Sequence, residues 1–265
     1  MSTKDHQSEP IESASETLQR IFDGHGSVLG SQMADESSRY DVLKKTDFPK
    51  PQRTRRIAVA NQKGGVGKTT STVNTAAALA NKGAQVLVID MDPQGNASTA
   101  LGVSHASGEP SVYDVIEGRS DLGDVITVCP DFPTLDVVPA SIDLSGAELE
   151  VADLPNRNTL LKEALDLYLR QSDKHYDYVF IDCPPSLGLL VINAMCAVTE
   201  MLIPIQAEYY ALEGLGQLIN TIGLVQEHFN PVLLVSTMLV TMFDRRTLLS
   251  REVYNELRDT IPALC

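Results

Sequence analysis

Lys63-Gly64-Gly65-Val66-Gly67-Lys68-Thr69-Thr70 decides the reading of this chain. It lies between a short apolar run, Ile57–Asn61, and a stretch with helical character from about Lys68 to Asn81. Glycines there let consecutive backbone N–H groups turn toward one anion, and the helix that follows adds the positive end of its dipole. Lys68 is placed to reach the β- and γ-phosphates of a nucleotide, and the Thr69 hydroxyl to ligate Mg²⁺. An ordinary G-x-x-x-x-G-K-[ST] loop has glycine at position 62, where this chain has Gln62 and then a second lysine, Lys63. The loop is therefore of the deviant, two-lysine type. A chance glycine-rich turn would not set strand, lysine, threonine and helix in one register.

Working outward, apolar runs alternate with helical stretches. Gln85–Asp90, Leu135–Pro139, Tyr178–Asp182, Met201–Ile205 and Val232–Val240 read as strands. Asn158–Leu169, Leu212–His228 and Leu248–Arg258 read as helices. Near-continuous apolar strands separated by helices predict an α/β fold, a mainly parallel twisted sheet covered on both faces, here a P-loop NTPase. Three acids fall at strand ends, where such sheets build their sites. Asp182 closes YVFID and is suited to hold Mg²⁺ through its water shell. Asp90 and Asp92 lie in DMDPQGN, and one of them is suited to orient the attacking water; spacing does not choose between them.

Composition bounds the rest. Residues 53–265 are expected to form one domain. Residues 1–52, rich in Ser, Asp, Glu and Gln, are expected to be a largely disordered acidic arm, with Ile11–Ile21 its one short helical candidate. The net charge of −14 argues against a basic nucleic-acid coat but not against a local basic patch. Arg245 and Arg246 are the candidates for such a patch, contacting phosphates rather than reading bases. The four cysteines lack metal-site spacing and the five histidines are scattered. No N-terminal run resembles a signal peptide, and none reaches the roughly 20 apolar residues of a membrane helix, so a cytoplasmic protein is expected.

KGGVGKTT, DMDPQGNAS and FIDCPPSLG, with Glu208–Gly214 (EYYALEG) and Thr241–Thr247 (TMFDRRT), together resemble the ParA family of partitioning ATPases, in its chromosomal, Soj-like branch. The resemblance runs from about Arg56 to Leu257. It implies ATP and Mg²⁺ as cofactors, slow hydrolysis, and an ATP-dependent homodimer in which Lys63 reaches the partner subunit's phosphates. It makes Asp92 the residue that positions water and places Arg246 on a DNA-binding surface. It further implies non-specific binding to double-stranded nucleoid DNA, a ParB-type partner that stimulates hydrolysis, and a role in segregating the origin region. Relative to the family pattern the chain ends early, so a last strand and helix are expected beyond it. The alternative is a membrane-associated positioning ATPase of the MinD type, which needs a basic amphipathic C-terminal helix. In Leu248–Arg258, Arg251 and Arg258 are instead offset by Glu252, Glu256 and the adjoining Asp259. An iron–sulfur carrier would need facing cysteines that this chain lacks, and the complete Lys63, Lys68, Thr69, Asp92 and Asp182 set argues against an inactive module.

Overall fold

The computed structural model describes residues 28–46, 48–208 and 211–260, which fall into two compact units, Met1–Pro49 and Lys50–Cys265. The first unit contributes helix α1, Val28–Lys45. This helix is not among those expected from the sequence. Ser31–Lys45 contains no glycine or proline, and Lys44 and Lys45 sit favourably in the last turn. The helix has no apolar stripe, so periodicity does not reveal it, and every described side chain from Met33 to Thr46 is exposed. The Ile11–Ile21 candidate lies outside the described residues.

The second unit is built on seven strands: β1 Arg55–Val59, β2 Val86–Asp90, β3 Thr127–Val128, β4 Leu135–Val138, β5 Tyr178–Asp182, β6 Glu200–Gln206 and β7 Leu234–Thr241. They form one sheet in the order β3-β4-β2-β5-β1-β6-β7, parallel throughout except for the short edge strand β3. The main connecting helices are α2 Lys68–Asn81, the short α3 Asn96–Ala100, α4 Val112–Ile116 and α5 Leu144–Glu150, then α6 Leu160–Gln171, α7 Leu189–Ala197, α8 Ala211–His228 and α9 Leu248–Thr260. This is the α/β P-loop NTPase architecture that the alternating pattern predicts. Among the described residues no helix is long and apolar enough to cross a membrane.

Side chains alternate between two layers as the pleat requires. Ile57, Val59, Val86, Val88 and Phe180 face α2, whose Ala76 and Ala80 let it sit close to the sheet. Ala58, Leu87, Ile89, Val179 and Ile181 face the opposite layer, built on α6, α7 and α8 through Leu161, Leu165, Val191, Met195, Leu218 and Ile222. Because β2 is buried on both faces, it reads as an apolar run, Val86–Ile89, up to its terminal Asp90; β4 is as buried but carries Asp136 in its second place. The register brings Val59 beside Asp182 and Asp182 beside Asp90. The loops after β1, β2 and β5 therefore open side by side at the carboxyl ends of three adjacent strands, where chain order switches direction.

Candidate nucleotide and metal site

The phosphate loop is pinned at both ends by side chains. Asn61 leaves β1 buried; its amide donates to Pro204 O at 2.8 Å and its Oδ1 accepts from Lys63 N at 3.0 Å. At the far end, the Thr241 hydroxyl donates to Val66 O at 2.9 Å, tying the loop to β7. Gly65 and Gly67 hold left-handed conformations, φ 75° and 92°, which a side chain would strain. Gly67 is the residue before α2, and no side chain caps that helix end. Its first amides are left for an anion. Gln62, standing where an ordinary loop has glycine, donates from its amide to Gly214 O at 3.2 Å and so braces the loop against the start of α8.

Lys68 is buried, 6% exposed, and its ammonium donates to Lys63 O at 3.1 Å. Burial lowers its pKa, against the pull of Asp182, Cys183 and Asp92, which favour the charge. Asp182 is fully buried and accepts from both threonines of one helix face, Thr69 Oγ1 at 2.7 Å and Thr72 Oγ1 at 2.9 Å. Burial first, then the nearby carboxylates of Asp90 and Asp92, push the Asp182 pKa up to about 7 despite those hydrogen bonds. Asp182 and Asp92 beside a single buried ammonium form a pocket of hard oxygens. That pocket fits a hard divalent cation, with Thr69 and Asp182 as the protein's share of the ligands. Among the described residues no cluster of three or more His, Cys, Asp or Glu could hold a metal alone. This suits Mg²⁺, which keeps waters and takes ligands from phosphates.

The two acids after β2 separate clearly. Asp90 is fully buried and both its oxygens are engaged: Oδ2 accepts from Ser98 N and Ser98 Oγ, and Oδ1 from Asp92 N. It is a clasp between β2 and α3, and burial raises its pKa. Asp92 is 7% exposed and its Oδ1 accepts one bond, from Gln94 N at 3.0 Å. Among the described residues its Oδ2 makes no hydrogen bond, so it is the acid with an oxygen to offer.

Lys63 turns away from this pocket. Its ammonium forms an ion pair with Glu208 and approaches Gln206 Oε1 at 3.3 Å, both near the end of β6. It borders an open groove of about 640 Å³ with Gln62, Pro185, Leu187 and Gln217. Arg245 and Arg246 lie in the turn between β7 and α9 and make no hydrogen bond to the phosphate loop. Arg246 is matched to Asp244, at 3.0 and 2.8 Å, and its guanidinium holds the Asp244 carboxyl down at about 2. Arg251 donates to Arg245 O at 2.9 and 2.6 Å. Sequence reading gave no role to Asn61, Thr72, Ser98 or Thr241, and noted Gln62 only as a departure from the ordinary loop. Only Thr72, three residues beyond Thr69 and hence on the same helix face, carried a signal.

The AAA domain family profile matches residues 54–235. Across 202 residues, 76% of this chain and 78% of the relative, the sequence is 50% identical to the sporulation initiation inhibitor protein Soj of Bacillus subtilis. The chain belongs to the ParA/Soj family of partitioning ATPases. The chromosome partitioning protein ParA of Caulobacter vibrioides is 46% identical across 202 residues, 76% of this chain and 74% of its own length. Among solved structures, cobyrinic acid a,c-diamide synthase of Mycobacterium smegmatis with a bound ATP analogue and magnesium has a TM-score of 0.71. It is 40% identical, covering 78% of this chain and 82% of that one. In this ParA/Soj-type ATPase the buried Lys68, the Thr69–Asp182 pair and the left-handed glycines lie together at the carboxyl ends of β1 and β5.

Proposed function

We propose that this chain is an ATP-dependent dimerising switch that binds double-stranded DNA without sequence preference. With a ParB-type partner that stimulates its slow hydrolysis, it segregates chromosomal origin or plasmid DNA in the cytoplasm, on the nucleoid. The loop amides and Lys68 hold the ATP phosphates, while Thr69 and Asp182, the latter through water, hold Mg²⁺. A bound Mg²⁺ would supply neutralisation of the phosphate charge. Asp92, through its free Oδ2, orients the water in line with the γ-phosphate.

One observation carries the dimer reading. The pocket already contains its own cation in Lys68, whereas Lys63 sits at the rim and is paired with Glu208. At the rim Lys63 can exchange Glu208 for a second subunit's γ-phosphate, an attraction that would make quaternary state report nucleotide state. Particle mass by light scattering, with ATP, ADP and no nucleotide, tests this. The parent should double in mass only with ATP. Lys63→Ala should bind nucleotide yet remain a monomer, and dimers that form regardless would remove the basis of the switch.

A further inference from the structure

The turn that carries Asp92 is braced from outside by a histidine. Gly95 N donates to Asp92 O at 2.8 Å, closing the turn, and Gly95 then takes φ 63° as the residue before α3. A Cβ placed on Gly95 would lie 2.4 Å from His105 Nδ1 and 2.6 Å from Cε1, so the imidazole is seated directly against the glycine. Its other nitrogen, Nε2, is 2.8 Å from Thr99 Oγ1, while Thr99 N donates to Gly95 O at 2.9 Å. The ring therefore spans α3, touching its start through Gly95 and its end through Thr99. His105 is itself held, because its neighbours Ser104 Oγ and Ala106 N both donate to Glu109, at 2.6 and 3.1 Å.

α3 is five residues long and has no side-chain cap, too short to be stable alone. The Asp90–Ser98 clasp fixes it from the buried side, and the imidazole is the counterpart on the solvent side. We infer that His105 is a positioning residue for the hydrolytic step, acting through Gly95 to keep the Asp92 turn in one conformation. The inference rests on the reading of Asp92 as the water-orienting acid. Glycine at position 95 then answers two demands, a left-handed backbone and room for the ring.

Single-turnover ATP hydrolysis and backbone amide exchange of the full chain test it together. His105→Ala should slow hydrolysis about tenfold, short of the roughly 10²-fold that a 1 Å displacement of a positioned group costs. Mg·ATP affinity and Tm should stay at parental values. Exchange should quicken at Gln94 and Gly95 but not along α2. His105→Phe keeps a ring against Gly95 without the bond to Thr99, and should recover most of the rate. If Asp92→Ala is inactive while His105→Ala hydrolyses at the parental rate, the positioning role alone falls. Equal slowing by the Ala and Phe variants also overturns it, since the seat on Gly95 would not be what holds the turn. If Asp92→Ala itself hydrolyses normally, both readings fall.

Discussion

Asp182→Asn should make the nucleotide-free protein more stable while removing its response to magnesium. In the fold, burial and the adjacent acids hold the Asp182 pKa at about 7, against 3.8 for an ordinary aspartate. A carboxyl with a raised folded pKa favours the fold below its unfolded pKa. That advantage is lost as pH rises, because the folded state must either keep a proton or bury a charge. The loss here runs from about pH 4 to pH 7. A gap of about three pH units at 1.36 kcal/mol each sets a ceiling near 4 kcal/mol at pH 8. Asparagine is neutral throughout, and its amide can serve both threonine hydroxyls, accepting from one and donating to the other. Thermal melts from pH 4.5 to 8 should show the variant gaining on the parent as pH rises, reaching about 2–4 kcal/mol, or roughly 4–16 °C, at pH 8. With Mg·ATP the order should reverse, since only the parent gains the metal-dependent part of ligand stabilisation. A variant no more stable than the parent at pH 8, with an unchanged pH slope, would refute the argument.

Three further outcomes are expected. Asp92→Ala should bind ATP and dimerise but stay on DNA because hydrolysis stops; parental phosphate release would show that another group orients the water. Gly67→Ala should cost about 1–2 kcal/mol, as a left-handed position filled by a β-carbon does, and should abolish nucleotide binding measured by calorimetry. Arg245→Ala should leave basal ATPase activity unchanged and reduce the salt slope of DNA binding by about one, whereas an unaltered slope would take Arg245 off the DNA surface.

How legible the protein was differs by element, for physical reasons. β5 and α2 appear with the bounds their patterns predict, Tyr178–Asp182 and Lys68–Asn81, because a fully buried strand and a helix behind a glycine turn carry unmistakable local signals. α9 runs two residues further than its expected end, through Thr260. α7 was illegible. Seven of its nine residues are buried, so LLVINAMCA shows neither the helical nor the strand period. α3 and α4, at five residues each, are too short to show a period. In the site, Lys68, Thr69 and Asp182 followed from spacing along the chain. The division of labour between Asp90 and Asp92 did not. It depends on Ser98, which reaches Asp90 from eight residues away and leaves Asp92 with a free oxygen. The histidine brace was equally hidden, since α3 and a four-residue loop separate His105 from the glycine it covers.

The central claim is that ATP converts this chain into a DNA-binding dimer. The most direct test is retention on unrelated double-stranded DNA with ATP, ADP or no nucleotide, across a salt series, with particle mass measured in parallel. The account predicts retention only with ATP, only by particles of dimer mass, and falling steeply with salt. A protein that binds ATP and dimerises yet never holds DNA, or holds it equally well in every nucleotide state, would contradict it.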